Sequence, residues 1–211
     1  MNLVIPKDEL LAGLQAVQNV VSTRTTLPVL SNVLLRCSGD RLELVATDLD
    51  VTVISTVPAQ IKSPGATTLP VKKLHGIARE LGGGEIELDV DSSHACEIKC
   101  GASFFKIKGL GAEEFPALPA FKEDRKITLP QEKLRGMLKK TSFAISTDES
   151  RYVLNGIFLS LRDHKVTMVA TDGRRLALVE EDAEIPERSQ GEIIIPAKAV
   201  NELNQIGRAH V

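Results

Sequence analysis

Val45-Ala46-Thr47-Asp48 returns later in the chain as Val169-Ala170-Thr171-Asp172. Outward from this match, Val33-Leu34-Leu35 has a counterpart in Ile157-Phe158-Leu159, and Ile5-Pro6 in Leu129-Pro130. The offset is the same in all three (169 less 45, 157 less 33, 130 less 6), namely 124 residues. Self-similarity at one fixed offset marks a duplicated structural unit. The chain is therefore read as two copies of one domain, residues 1–122 and 123–211, the second incomplete.

A finer period lies inside each copy. An aliphatic residue followed by proline opens Ile5-Pro6-Lys7, Leu69-Pro70-Val71, Leu129-Pro130-Gln131 and Ile195-Pro196-Ala197. Each proline closes a β-rich run (Leu3–Ile5, Ala66–Leu69, Ile127–Leu129, Ile193–Ile195) and favours the first turn of a helix, where its missing N–H costs nothing. Helical spacing follows: Leu10, Leu14, Val17 and Val21; Leu74, Ile77, Ala78 and Leu81; Leu134, Met137, Leu138 and Thr141. Strand-like runs come next, at Val33–Cys37, Arg41–Thr47 and Val51–Val57, then Glu85–Val90, His94–Cys100 and Phe104–Lys108. After the third helix they fall at Val153–Leu161, Lys165–Thr171 and Leu176–Glu181. The repeating unit is β-α-β-β-β, about 60 residues long, and two units make a domain. Glu113-Glu114-Phe115-Pro116 and Leu118-Pro119 mark an extended linker between the domains.

The fourth unit has its strand, Pro196 and part of a helix (Val200, Leu203, Ile206), but not the three strands expected next, so the sequence reads as truncated. Its last six residues, Ile206–Val211, match a one-frame translation of a widely used sequencing adapter and are expected to be foreign to the gene.

Composition narrows the function. The 211 residues are 43% hydrophobic and 26% charged, enough for two aliphatic cores and against disorder. Aromatic residues make up only 3%, with no Trp and one Tyr, so there is no platform for stacking splayed bases. A net charge of −2 excludes a uniformly basic nucleic-acid binder and leaves room for one basic face. Cys37, Cys96 and Cys100 lack zinc-finger spacing and read as buried thiols of a reducing compartment. The start of the chain has no signal-peptide pattern and no run reaches membrane-span length, so a cytoplasmic protein is expected.

Catalytic and metal motifs are wanting. Gly82-Gly83-Gly84, Gly109 and Gly111 do not precede a Lys-Ser/Thr helix start, so they read as turns rather than a phosphate loop. Asp48, Asp50 and Asp172 stand at repeated strand ends, as turn-capping residues do. His75, His94, His164 and His210 are scattered and form no nucleophilic set. No cofactor or metal is expected. A nuclease built on these aspartates and a scaffold binding only proteins are the rival readings. Repeated rather than unique Asp positions disfavour the first, and basic residues on helix after helix disfavour the second.

The tandem units carry Arg24-Thr25-Thr26-Leu27-Pro28-Val29-Leu30-Ser31-Asn32, Ala46-Thr47-Asp48-Leu49-Asp50 and Pro64-Gly65-Ala66-Thr67-Thr68-Leu69-Pro70. Later come Arg151-Tyr152-Val153-Leu154-Asn155-Gly156 and Val169-Ala170-Thr171-Asp172-Gly173-Arg174-Arg175-Leu176-Ala177. In this order the motifs resemble the bacterial DNA polymerase III β-subunit, or sliding-clamp, family, up to about Gln205. The resemblance implies an α+β clamp fold, with tandem domains of two β-α-β-β-β units, helices on an inner face and sheets outside. It implies a non-catalytic processivity factor that encircles double-stranded DNA as a head-to-tail homodimer. Its expected partners are the DNA polymerase III catalytic subunit, the clamp loader and other proteins bearing a clamp-binding motif.

By the same resemblance, Arg24, Lys72, Lys73, Arg79, Arg151, Tyr152 and Lys198 are the expected DNA-facing residues. Lys7, Lys133, Arg135, Lys139 and Lys140 add to the polar helix faces. Leu154, Thr171, Gly173, Arg174, Arg175 and Leu176 match one wall of a partner-peptide groove. Phe105 and Ile107, with Lys73 nearby, match the ring interface. The chain departs from the family at Asp148 and Val153, where Gln and an aromatic residue occur, and at Ala102 and Phe104, where arginines are common. Such lysines and arginines attract phosphate without reading sequence, which suits a protein that must slide.

Overall fold

The computed structural model describes residues 1–21, 27–118, 126–148 and 150–204. The chain divides into two compact units, Met1–Leu118 and Pro119–Val211. The expected 122/123 boundary, Arg24 and the closing residues 205–211 all lie outside the described residues.

The first unit runs β1 (Asn2–Pro6), α1 (Lys7–Gln18), β2 (Asn32–Ser38), β3 (Arg41–Thr47), β4 (Thr52–Pro58), β5 (Gln60–Ser63), β6 (Gly65–Pro70), α2 (Val71–Glu80), β7 (Glu85–Val90), β8 (Ala95–Cys100) and β9 (Ser103–Lys108). Two antiparallel sheets result, ordered β5-β1-β7-β8-β9 and β4-β3-β2-β6. The expected run Val51–Val57 continues past a break at Ala59, whose N–H donates to Asp40 O at 2.9 Å. There the chain leaves one sheet as β4 and joins the other as β5.

Leu10, Leu14 and Val17 of α1 and Val71, Leu74 and Ala78 of α2 are buried in one core with the inward residues of both sheets. Each leucine so buried contributes about 1.5–3 kcal/mol. Cys37, Cys96 and Cys100 are free thiols inside this core. Burial pushes the Cys96 thiol up to about 12 and raises Cys37 as well.

The four α-helices among the described residues begin the same way. Pro6, Pro70, Pro130 and Pro196 are the N-cap residues, with φ of −58, −59, −56 and −57°. The prolines thus stand one step before the first turn in which they were expected. A fixed φ with extended ψ ends the strand and turns the chain into the helix without a side-chain cap. Lys7, expected on a free polar face, instead donates from Nζ to Arg79 O and Leu81 O, closing the C-terminal end of α2.

The second unit has α3 (Gln131–Thr141), β10 (Gly156–Arg162), β11 (Lys165–Thr171), β12 (Leu176–Asp182), β13 (Gly191–Pro196) and α4 (Ala197–Leu203). Among its described residues the sheet is ordered β12-β11-β10-β13, matching β4-β3-β2-β6 strand for strand. Two expectations fail here. Tyr152–Leu154 forms a 3₁₀ turn rather than the start of a strand, and β10 begins at Gly156. Ile127–Leu129 is not a strand. Its counterpart β1 is held between β5 and β7, and among the described residues of the second unit no counterpart of β7 follows α4.

The linker residues have a place in the first unit. Leu110 exchanges backbone hydrogen bonds with Thr68 (3.0 and 3.1 Å), laying the following segment along the edge of β6. A Cβ on Gly109 would stand 2.0 Å from Thr68 O, so only glycine admits this approach. Phe115, with Leu110, Ala112 and Leu118, then packs against Val29, Leu30, Leu34 and Val45, on the face of the sheet opposite the main core.

Among the described residues no helix is long and apolar enough to cross a membrane, and no three His, Cys, Asp or Glu side chains cluster as metal ligands would.

Candidate functional site

The turns after β3 and β11 are built from the same bonds. Thr47 Oγ1 accepts from Leu49 N–H (3.1 Å) and donates to Val51 O (3.1 Å), while Asp48 Oδ1 accepts from Val51 N–H (2.8 Å). In the second unit Thr171 Oγ1 accepts from Gly173 N–H (3.0 Å) and donates to Arg175 O (2.7 Å), while Asp172 Oδ1 accepts from Arg174 and Arg175 N–H (2.9 and 3.1 Å). The left-handed corner of this turn is Leu49 at φ 81° in the first unit and Gly173 at φ 87° in the second. Both carboxylates serve as turn acceptors. The Arg174 amide above all, with Arg175, holds the Asp172 carboxyl below its ordinary range.

What differs is the cargo. Where the first turn presents Asp50 and Val51, the second presents Arg174 and Arg175. Arg175 Nε pairs with Asp172 at 3.0 Å, and its guanidinium lies 5.7 Å from the Phe143 ring centre. Arg174 has no ion pair among the described residues. Arg151 pairs with Asp148 at 2.8 Å. The Ser150 hydroxyl, ahead of backbone and Arg151 contacts, lowers the Asp148 carboxyl.

These groups line a concavity of about 410 Å³ bounded by Ile145–Asp148, Arg151 and Asp172–Arg175. The structure thus brings Arg151, expected at DNA, together with Gly173, Arg174 and Arg175, expected at a partner peptide. Of the other groove residues, Leu154 is half-buried, Thr171 is spent in the turn, and Leu176 is exposed on β12; none lines the concavity. Ile145, Ser146 and Thr147 were missed in the sequence. The Asp148-x-Ser150-Arg151 turn was the signal that could have found them.

The helix cations fall into two classes. Lys72 and Lys73 are exposed in the first turn of α2, which holds no acidic residue, and have no ion pair among the described residues. Two cations at a helix N-terminus oppose the macrodipole at a cost of about 0.3–1 kcal/mol each, a placement that local stability does not explain. Lys139 and Lys140 are likewise exposed, though at a C-terminal turn where the dipole favours them. Arg79 pairs with Glu80 (2.9 Å) and Lys133 with Glu181 (3.4 Å), so part of their charge is already offset. Tyr152 is exposed and Lys198 half-buried.

On β9 one expectation needs correcting. Ile107 is buried in the first unit's own core, opposite Cys96, and is no surface contact. Phe105 is exposed as expected, and so is Phe104, which lies under Lys99 at 5.8 Å. Alternation puts Phe104 on the outer face, whereas Phe105 has the parity of Ile107, pairs with the buried Ile98, and is still 41% exposed.

Two domains of one family match in order. The DNA polymerase III beta subunit N-terminal domain covers residues 1–119 and the central domain residues 128–210. The beta sliding clamp of Chlamydia muridarum is 39% identical over 203 residues, spanning 96% of this chain and 56% of that protein. The crystal structure of the Bacillus subtilis DNA polymerase sliding clamp superposes with a TM-score of 0.93 at 31% identity, covering 98% of this chain and 56% of the other. The Bartonella birtlesii sliding clamp bound to griselimycin gives a TM-score of 0.92 at 38% identity, covering 100% and 57%. The chain thus spans little more than half the length of these relatives. With the duplicated units, the shared strand order and both domains matched in sequence, the chain belongs to the DNA polymerase III beta subunit family, the bacterial sliding clamps.

Proposed function

We propose that the protein is a DNA polymerase processivity factor: a sliding clamp that encircles duplex DNA without sequence preference, tethers the replicative polymerase, and catalyses nothing itself. The observation that carries this reading is the pair Lys72 and Lys73, without an ion pair among the described residues and placed in the first turn of α2, where the helix dipole disfavours cations. Cations kept at a local cost are explained by a polyanion outside the unit. Arg79, Arg151, Tyr152, Lys198 and Arg24 complete the proposed DNA-facing set, with Arg79 and Arg151 discounted for their carboxylate partners. Few, exchangeable phosphate contacts and a net charge of −2 fit a protein whose retention is topological.

The concavity around Gly173, Arg174 and Arg175, flanked by Leu154 and Leu176, is proposed as part of the surface that receives peptide motifs from the polymerase catalytic subunit, the clamp loader and other clamp-binding proteins. Phe105, with Lys73 nearby, is proposed for the seam of a head-to-tail homodimer. A cytoplasmic location follows from this role.

The test is retention on DNA. The ring-length protein carrying these residues should stay on nicked circular DNA and be lost when the circle is cut. For the 211-residue chain, Lys72→Ala with Lys73→Ala should lower the slope of log affinity against log salt by about 2, one counterion per phosphate contact. Equal retention on linear and circular DNA, or an unchanged slope, would defeat the reading.

A further inference from the structure

Among the described residues three glycines stand inside α-helices: Gly13 in α1, Gly76 in α2 and Gly136 in α3. Glycine is the weakest helix former after proline, so each needs a reason. Gly13 has one in the core, where a Cβ would stand 2.8 Å from Leu44 Cδ1 and 3.3 Å from Val57 Cγ1. Gly76 and Gly136 have no such reason, since a Cβ on either would meet nothing within 4 Å. Each unit thus loses helix stability at a position its own packing leaves open.

Both occupy one place in the repeat, the sixth residue after the helix-opening Pro70 and Pro130. Neighbours on one helix face lie three and four residues away. For Gly76 these are Lys72, Lys73, Arg79 and Glu80; for Gly136 they are Glu132, Lys133, Lys139 and Lys140. All eight are exposed, while Leu74 and Ala78, or Leu138 and Thr141, are buried on the opposite side. Each glycine is therefore the half-buried floor of a notch walled by three cations and one carboxylate. The corresponding residue of α1 is Ala12, among Asp8, Glu9, Gln15 and Ala16, and that of α4 is Glu202. Glycine stands where the surrounding face is basic and is absent where it is not.

We infer that Gly76 and Gly136 seat backbone phosphates of the duplex: the missing side chain lets a phosphate come down to the helix surface between the flanking ammonium groups. The inference rests on the DNA reading above and adds to it two positions that carry no charge themselves. Separation decides what the glycine contributes, because attraction between charges falls with distance and is stronger beside protein than across bulk water. A side chain on the floor would hold the phosphate away from the lysines around it. Arg79 is engaged with Glu80 at 2.9 Å and Lys133 with Glu181 at 3.4 Å. Lys72 with Lys73, and Lys139 with Lys140, have no ion pair among the described residues and are the pairs that close over the phosphate in each notch. Such a seat grips the backbone and reads no base, as a sliding contact requires.

The test titrates the intact 211-residue chain into a fluorescein-labelled DNA duplex across a salt series, read by anisotropy, with a thermal melt of each variant alongside. Gly76→Ala and Gly136→Ala should raise the thermal midpoint by about 2–8 °C, because alanine is the better helix former. The same variants should bind the duplex more weakly. Gly76→Gln combined with Gly136→Gln should bind weaker still, roughly fivefold or more below the unsubstituted chain at low salt. Its slope of log affinity against log salt should fall by about 2, one phosphate per notch. A purely structural glycine would instead gain stability on substitution and keep its affinity. Unchanged or tighter binding by the double Gln variant, with Lys72→Ala and Lys73→Ala still weakening it, overturns the seats and leaves the DNA reading standing. A flat response from the lysine and glycine variants alike overturns both.

Discussion

The two units are built on one plan and differ in how completely that plan is closed. In Met1–Leu118 two helices are packed with two sheets, and Leu3, Leu10, Leu14, Leu44, Leu74 and Leu88 are fully buried. In the second unit one four-stranded sheet carries α3 and α4, and Leu134, Leu159, Leu161, Ile195 and Leu203 are only partly buried against the core. Identical strand order and identical turn bonds thus leave the apolar side chains of the two units unequally enclosed. Area removed from water sets the difference, and the second unit removes less per apolar residue.

The largest expected effect comes from testing this directly. Leu14→Ala should destabilise the first unit by about 2–5 kcal/mol, since the full side chain is lost from a closed core. Leu159→Ala in the half-buried sheet of the second should cost about half as much. Urea unfolding followed by hydrogen exchange, unit by unit, measures both. Equal losses would mean that Leu159 is as enclosed in solution as Leu14.

A smaller effect separates the matched turns. Leu49 sits at φ 81°, a conformation that costs an L-residue about 1–2 kcal/mol, and Gly173 takes the same corner without that cost. Leu49→Gly relieves the strain but adds about 0.5–1 kcal/mol of unfolded-chain entropy, for a net gain of some tenths of a kcal/mol. Gly173→Leu takes on the strain of about 1–2 kcal/mol and recovers only about 0.5–1 kcal/mol from the stiffer unfolded chain, for a net loss of up to about 1 kcal/mol. Thermal midpoints of the two variants should move in opposite directions; a shift of the same sign in both would show that the turns are not equivalent.

The smallest effect is in pH. The Asp172 carboxyl is held below its ordinary value of 3.8 by backbone amides, so its contribution to stability is present above that value and disappears as pH falls through the lower folded value. Asp172→Asn should flatten this acid limb below about pH 4 in the second unit and leave the first unit's limb unchanged. A curve that keeps its full acid dependence in Asp172→Asn would assign the limb to other carboxylates.

What the sequence made legible follows the range of the interactions involved. Period, proline and turn signals are local, so the duplication, the helices and strands such as Arg41–Thr47, Glu85–Val90 and Lys165–Thr171 could be read at their observed bounds. Three misreadings needed distant partners to be avoided. Tyr152–Leu154 is apolar enough for a strand but coils as a 3₁₀ turn, with Leu154 O accepting from Ser146 N–H. Ile127–Leu129 has strand composition and lacks the ladder neighbour that β1 has. Lys7 is polar and near a helix start, yet the carbonyls it caps are more than 70 positions away. At the candidate site, the Asp turns were legible because their bonds span two or three residues. The meeting of Arg151 with Gly173–Arg175, some 20 positions apart, was not.

The sealed thiols have a practical corollary. Cys37, Cys96 and Cys100 are enclosed by aliphatic side chains, and Cys96, pushed up to about 12, holds its proton throughout the physiological range. A sulfhydryl grafted onto the surface would be the sole handle open to a maleimide dye or spin label, with no native cysteine to remove first.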